Sequence, residues 1–155
     1  HDGYKHRLSG YRNAMKDAGL ETCEDLVQEE RHSPDSTNAA TRILLGLLGQ
    51  GAKTPTAVVC ACDREAFELI SELAKEGIRV PDDIGVAGFE NSHLNVLSPI
   101  PLTTVDIFAL EMGRMAGELL LLALKAPHRP ARLVMPSLLL DRASVAPLAS
   151  VAAPA

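Results

Sequence analysis

The stretch Pro55–Leu94, PTAVVCACDREAFELISELAKEGIRVPDDIGVAGFENSHL, decides the fold of this 155-residue chain. It opens with the short apolar run Ala57–Ala61, continues into a helix predicted over Asp63–Gly77, and ends in a second apolar run at Ile84–Phe89. Alternation of strand and helix at this spacing predicts right-handed βαβ units and a parallel sheet. Because ligands of such sheets bind beyond the carboxyl ends of the strands, the residues after each run are candidate site positions.

Helices are predicted on both sides of this stretch, so the fold class is α/β, a parallel sheet with flanking helices. Apolar residues at helical spacing predict helices over about Tyr4–Ala18, Asn38–Leu48 and Asp106–Leu124. A short extended segment is expected at Thr22–Val27, and Arg132–Leu140 has the pattern of a strand.

The composition is that of an ordinary globular protein, with 46% apolar and 23% charged residues. The net charge of −5 argues against nucleic-acid binding by this chain alone, because such domains usually carry a basic excess. Three cysteines are too few for a disulfide scaffold, which favours reduced thiols and a cytoplasmic protein. The longest apolar run, Leu119–Leu124, is far shorter than the roughly 20 residues that cross a bilayer, so no membrane association is expected. Without an initiator Met, the chain is expected to begin within a longer protein.

No enzyme signature and no cofactor motif emerges from the sequence. It shows neither a Ser-His-Asp order, nor a nucleophile elbow, nor a phosphate-binding glycine loop, so a catalytic function is not expected. Cys60 and Cys62 would share one face of a strand and invite a metal interpretation. Zinc, however, takes four ligands, and Cys23 and the five histidines lack the spacing to complete them. We therefore expect no metal and no cofactor.

Four motifs together resemble the effector-binding core of LacI-type bacterial transcription regulators. Pro55–Leu94 is similar to the family pattern PTAvfaxNDxxAxGxxxxLxxxGxxVPxDvsvxGFDd, and Pro99–Leu121 to PPLTTVxxpxxxMGxxAxexLL. Arg7–Ala14 resembles RxxGFxxAL, and Leu133–Pro147 resembles LPxxLxxRxSxxxP. The four stand in the family's order with matching spacing and cover nearly the whole chain.

The resemblance implies a type I periplasmic-binding-protein-like fold, in which two α/β lobes joined by crossing strands hold a ligand between them. Residues 1–105 would form most of the C-terminal, effector-binding lobe without its first strand. Residues 106–130 would cross to the N-terminal lobe and supply a helix, and residues 131–145 would return as a strand. Residues 146–155 are expected to form a disordered tail. The DNA-binding headpiece and most of the N-terminal lobe would lie outside this chain.

The resemblance also implies a set of effector-binding residues. Arg7 matches an arginine that reaches into the family's cleft, where its planar guanidinium suits hydroxyls or a carboxylate. Asp63 is expected to cap the third helix as well as to face the cleft. Without the resemblance, Arg7 is interpreted as an exposed helix residue and Glu90 as a solvated loop carboxylate. The predicted effector-binding residues are Arg7, Cys62, Asp63, Phe89, Glu90, Asn91 and Ile107.

Three of these positions depart from the family pattern. Cys62 stands where relatives have Asn, and its thiol is a weak donor and a poor acceptor. Glu90 replaces Asp, which extends the carboxylate by one methylene, and Ile107 replaces a Gln that many relatives carry. These changes predict a site less suited to a simple pentose or hexose.

The sequence predicts the effector-binding and dimerisation region of a LacI-type regulator, in which a sugar or related metabolite controls operator DNA binding allosterically. A homodimer is expected, with Leu94–Ile100 and the third helix as candidate contacts. An apolar helix face around Met112–Leu122 should be exposed. One alternative is the solute-binding protein of a sugar transporter with the same fold. Another is an interaction fragment that binds no effector.

Overall fold

A computed structural model describes residues 2–28, 36–48, 55–93, 95, 98–126, 128 and 132–147. The elements within these residues include a strand–helix–strand unit with further helices before and after it, which confirms the predicted α/β class. The helices are α1 (Asp2–Asp17), α2 (Ser36–Leu47), α3 (Asp63–Lys75) and α4 (Ala109–Lys125). The strands are β1 (Ala57–Val59), β2 (Gly85–Ala87), β3 (Thr104–Asp106) and β4 (Leu138–Leu140).

The predicted βαβ unit is present. β1 and β2 pair in parallel, with Ala57 opposite Gly85 and Val59 opposite Ala87, and α3 is the helix that connects them. Beyond β2 the chain runs alongside β3, since Glu90 forms a parallel bridge with Asp106. The carboxyl ends of β1, β2 and β3 therefore meet at one edge of the fold.

β4 returns antiparallel to β3 and is shorter than the sequence suggests. Leu138–Leu140 pairs with Thr104–Asp106 over three residues, whereas the predicted strand-like segment began at Arg132. Pairing is limited by the length of β3, and Pro136 lacks the N–H that a longer ladder would need. The residues after β4 close onto β2, where the backbone N–H of Val86 donates to the carbonyl of Ser144 at 2.8 Å.

The core lies between α3 and the sheet. Apolar residues of α3 recur at i, i+3, i+4 and i+7, so one face of the helix is buried against β2 and α2. Each large side chain that is fully buried contributes about 1.5–3 kcal/mol of transfer free energy. This single face anchors the helix whose first turn adjoins the candidate site. The buried apolar residues are Leu44, Ala66, Leu69, Ile70, Leu73, Val80, Ile84, Val86 and Leu102.

Two local predictions were wrong. The fourth helix begins at Ala109 rather than Asp106, because Asp106 pairs in β3 and its Oδ1 accepts from the backbone N–H of Phe108 at 2.7 Å. The segment expected to be extended contains a 3₁₀ turn at Glu24–Leu26. The Glu24 carboxylate pairs with Arg12 of α1 at 2.6 Å, which ties this turn to the helix.

The predicted apolar face of α4 is exposed. No described side chain of this helix is buried, and Met112 and Leu122, which belong to the predicted face, are 41% and 54% exposed. Leu139 of β4 adds a further apolar side chain, 65% exposed. None of the described helices combines the length and the apolar character needed to cross a bilayer. Part of Leu94–Ile100 and residues 148–155 lie outside the described residues.

Candidate functional site

Two loops that follow parallel strands are joined at the sheet edge. The backbone N–H of Cys60, after β1, donates to the carbonyl of Ala87 at 2.8 Å. Further along both loops, the N–H of Asp63 donates to the carbonyl of Phe89 at 3.0 Å. The structure thus brings together the residues after β1 and β2 that sequence reasoning singled out.

Arg7 reaches from α1 to both of these loops. Its guanidinium Nη1 donates to the carbonyl of Ala61, and its Cζ lies 4.0 Å from the centroid of the Phe89 ring. The Arg7 Cζ also lies 4.9 Å from the centroid of the Tyr4 ring, one turn earlier on α1. A cation held against two aromatic faces has a fixed orientation and keeps further N–H donors for other acceptors. Arg7 is half-buried, so it is not the freely solvated helix arginine of the alternative interpretation.

Asp63 holds the loops together, and its predicted role as an N-cap was wrong. The N-cap of α3 is Cys62, which makes no side-chain capping bond. The Asp63 carboxylate is fully buried and faces the crossing segment instead. Its Oδ1 accepts from the Thr104 hydroxyl at 2.5 Å, and its Oδ2 accepts from the backbone N–H of Ser92 at 2.6 Å and from Asn95 at 3.2 Å. Contact between Asp63 and an effector stays a prediction.

Gly88 is required by this arrangement. A Cβ at position 88 would lie 2.3 Å from Oδ1 of Asp63 and 2.9 Å from Cδ2 of Leu102. Neither neighbour is free to retreat, because the carboxylate is hydrogen-bonded and Leu102 is fully buried. The glycine before Phe89 therefore lets β2 approach the first turn of α3.

The thiols of Cys60 and Cys62, which follow β1, both have raised pKa values. Burial raises the pKa of the Cys60 thiol to about 12, and the carboxylate of Glu65 adds to this effect. Partial burial also raises the pKa of Cys62. A hydrogen bond with the backbone amide of Glu65 lowers this pKa, whereas the negative charges of the Glu65 and Glu90 carboxylates raise it further. Since the thiolate is the metal ligand and the nucleophile, both reactions are disfavoured near neutral pH.

Glu90 and Asn91 adopt an unusual backbone conformation at the site. Their φ angles are 102° and 51°, in the left-handed region that residues with a Cβ rarely adopt. The Asn91 side chain is held from two directions, since its Nδ2 donates to Oδ2 of Asp106 and its Oδ1 accepts from Nη2 of Arg142, both at 3.0 Å. Glu90 is half-buried, and its backbone N–H donates to the carbonyl of Val105 at 2.9 Å.

Sequence reasoning missed several residues that hold the site. Thr104, Asp106 and Arg142 contact the loops from segments distant in sequence. The Arg142 side chain also donates to the carbonyl of Leu102 at 3.0 Å, which ties the returning segment to β3. The available signal was the match to RxS in the last motif, which contains Arg142. Ile107, predicted at the site, follows β3 directly and is half-buried.

No cluster of three metal-ligating side chains occurs among the described residues. The predicted site residues supply the Arg7 guanidinium, the Glu90 carboxylate, the Cys62 thiol, the Phe89 ring and the aliphatic side chain of Ile107. This set suits recognition of a small polar molecule with apolar faces.

Comparison with known proteins places this arrangement in a family. The sequence profile described as "Periplasmic binding protein-like domain" matches residues 1–145. The HTH-type transcriptional repressor PurR of Vibrio campbellii is 36% identical over 128 residues, which are 83% of this chain and 37% of that protein. The HTH-type transcriptional regulator DegA of Bacillus subtilis is 35% identical over 150 residues, 94% of this chain and 42% of that protein.

A solved structure agrees with these sequence relationships. The transcriptional regulator CelR, determined as a cellobiose complex, superposes with a TM-score of 0.77 at 34% identity over 89% of this chain and 41% of that one. The chain thus spans about two fifths of the length of the relatives it matches. Because these relatives are transcriptional regulators, the transporter alternative is not favoured. The chain belongs to the periplasmic binding protein-like domain family, in the form found in LacI-type regulators, as the resemblance of its motifs implied.

Proposed function

We propose that this chain is the effector-binding region of a LacI-type transcriptional regulator, and that its ligand lies at the edge lined by Arg7, Cys62, Phe89, Glu90 and Ile107. The observation that carries the proposal is Arg7, which leaves α1 and contacts the loops after both β1 and β2. A guanidinium in this position and the Glu90 carboxylate supply donors and acceptors for a polyol. Cys62, Phe89 and Ile107 supply apolar contact.

In this proposal, Asp63 and Asn91 support the loops from behind. Their side-chain oxygens are already engaged within the protein, so they fix the positions of the residues that face the ligand. The ligand class is a saccharide or a related metabolite, which is supported by the cellobiose complex of CelR. Cys62 and Ile107 favour a ligand with an apolar face over a small, fully hydroxylated sugar.

Ligand binding would control DNA binding through a conformational equilibrium. A ligand shifts such an equilibrium only through different affinities for the two states, and coupling of about 1–3 kcal/mol is typical. Operator DNA would be bound by a headpiece outside these 155 residues, in a cytoplasmic homodimer. Leu94–Ile100 and α3 remain the proposed dimer contacts. The protein would act by binding alone, with no catalytic step and no cofactor.

Calorimetry with saccharides tests the proposal. The wild-type protein is titrated with a panel of mono- and disaccharides that includes cellobiose, and at least one should bind. Arg7→Ala and Glu90→Gln should then weaken binding of that saccharide at least about tenfold, because each removes a charge-assisted hydrogen bond.

Arg12→Ala is the matched control, since Arg12 lies on the same helix but pairs with Glu24 away from the loops. It should bind the saccharide like the wild type. No binding by the wild-type protein to any member of the panel, or equal loss in Arg7→Ala and Arg12→Ala, would contradict the proposal.

A further inference from the structure

Backbone strain in the described part of the chain is concentrated around one hydrogen bond. The non-glycine residues with positive φ are Glu90, Asn91 and Phe108. Glu90 and Asn91 belong to the loop after β2, and Phe108 is the N-cap of α4. Such conformations persist only where the surrounding structure enforces them, and they gather at sites that change conformation.

The Asp106 carboxylate connects these strained residues. Its Oδ2 accepts from Nδ2 of Asn91 at 3.0 Å, and its Oδ1 accepts from the backbone N–H of Phe108 at 2.7 Å. One carboxylate thus joins the loop that carries Glu90 to the first turn of α4. We name the Asn91–Asp106–Phe108 connection the loop–helix clasp.

The clasp is fixed on its loop side but lightly supported on its helix side. Asn91 Oδ1 accepts from Arg142 and from Asn95, so the loop end is anchored to the body of the fold. α4 has no buried residue among those described, and Phe108 makes no side-chain capping bond. The bond to Asp106 therefore has a large share in setting where the helix begins.

We propose that Asn91 is a positioning residue that transmits the conformation of the Glu90 loop to α4. Because Glu90 and Asn91 are consecutive, a ligand that repositions the Glu90 backbone rotates the peptide that carries Asn91. If the Asn91–Asp106 bond shortens, the left-handed start of α4 at Phe108 is stabilised. If the bond breaks, the start of the helix is released. The direction of this coupling rests on the proposed function, whereas the clasp itself does not.

Hydrogen exchange of the full chain without ligand tests the clasp. Asn91→Ala should speed exchange at the backbone amides of Phe108 and Met112 at least about tenfold, since a hydrogen bond to a charged acceptor is lost. The Met112 amide bonds to the Phe108 carbonyl at 2.8 Å, so it reports on the first turn of the helix. Amides of α3 between Leu69 and Leu73 should keep their protection.

Asn95→Ala is the comparison variant, because it removes an amide side chain that donates to Asn91 Oδ1 but does not contact Asp106. It leaves the Asn91–Asp106 bond in place, so it should speed exchange at Phe108 and Met112 less than Asn91→Ala does. Unchanged exchange at Phe108 and Met112 in Asn91→Ala would overturn the proposal. Equal acceleration in Asn91→Ala and Asn95→Ala would also overturn it, since Asn91 would then only order the loop. If Asn91→Ala loses protection in α3 as well, Asn91→Gly replaces it, because glycine tolerates the positive φ while removing the same bond.

The two proposals fail separately. A protein that binds no saccharide but shows Asn91-dependent exchange in α4 would contradict the proposed function and support the clasp. A protein that binds a saccharide through Arg7, yet whose α4 exchange is indifferent to Asn91, would support the function and overturn the clasp.

Discussion

At the scale of single residues, Asp63 shows how one buried carboxylate holds the loops of the candidate site together. Its carboxylate receives hydrogen bonds from two segments, the loop with Ser92 and Asn95 and the strand with Thr104, which lie between 29 and 41 residues further along the chain. The sequence identified the residue and predicted that it caps the helix as well as faces the cleft, because an Asp before an apolar run is a common N-cap. The capping role was wrong. The actual partners of Asp63, which are Ser92, Asn95 and Thr104, become visible only once the chain has folded.

Asp63→Ala should lower the free energy of unfolding by about 3 kcal/mol or more, because the buried Thr104 hydroxyl and two partly buried donors lose a charged acceptor at once. Asp63→Asn, which keeps one acceptor oxygen and the shape of the side chain, should lose less. Urea unfolding followed by circular dichroism measures both variants. Equal midpoints for Asp63→Ala and the wild type would show that these bonds do not stabilise the fold.

Gly88→Ala should be destabilising through overpacking, with an expected loss of about 1–3 kcal/mol. The new Cβ would lie 2.3 Å from the Asp63 carboxylate, which is itself hydrogen-bonded. Gly10→Ala on α1 is the control, because a Cβ there meets nothing within 4 Å. It should be neutral or stabilise the helix slightly, so a similar urea midpoint for the two variants would refute the steric argument.

At the scale of elements, the turn between α3 and β2 has a pH-dependent ion pair. The side chain and backbone N–H of Arg79 both donate to the Asp83 carboxylate and lower its pKa from 3.8 to about 2. A pKa that is lower in the folded state than in the unfolded state stabilises the fold above the unfolded value. The contribution is lost as the pH falls from 3.8 towards 2.

Asp83→Asn should therefore be less stable than the wild type near neutral pH and nearly as stable as the wild type at about pH 2. Urea midpoints measured for both proteins across this range give the difference directly. A difference that stays constant down to the lowest pH would mean that the ionisation of Asp83 is not linked to folding.

The elements themselves were predictable where periodicity is strong. The face of α3 with Ala66, Leu69, Ile70 and Leu73 is a local pattern, and its burial follows from the sequence alone. The start of α4 is not a local pattern, since Asp106 is drawn into β3 by its pairing with Leu138. The length of β4 likewise depends on its partner strand, which the segment from Arg132 to Leu140 does not encode.

The candidate site could also be predicted only in part: the loop residues after the strands were found, and the long-range contacts that hold them were not. The position of Phe89 and Glu90 after a parallel strand, together with the family motif, was sufficient to select them. The Asn91–Asp106 and Asn91–Arg142 contacts could not be found, because they join residues 15 and 51 positions apart. Long-range polar pairs have no periodic signature, so only the folded structure reveals them.

At the scale of the whole molecule, α4 and β4 present apolar side chains to solvent. Leu120 and Leu124, four residues apart on α4, are 61% and 71% exposed, and Leu139 of β4 is 65% exposed. Large apolar side chains exposed together on one helix face are typical of an interaction surface. The 155-residue chain by itself should therefore self-associate through this face. Sedimentation velocity of the wild type and of Leu120→Lys combined with Leu124→Lys measures the effect.

The double variant should associate less than the wild type at the same concentration. Leu20→Lys removes a side chain that is 57% exposed in a segment outside α4 and β4, so it should associate like the wild type. A wild-type chain that remains monomeric, or a loss of association in Leu20→Lys alone, would contradict the role of this face.

The central claim, that a ligand at the Arg7 edge controls DNA binding, is tested most directly by operator affinity. Fluorescence anisotropy of the whole regulator on a DNA fragment selected for binding is measured with and without the saccharide found by calorimetry. The wild-type affinity should change by about 5–150-fold. Arg7→Ala should keep the affinity measured without saccharide and lose the change. An unresponsive wild type, or an Arg7→Ala protein that responds fully, would contradict the account.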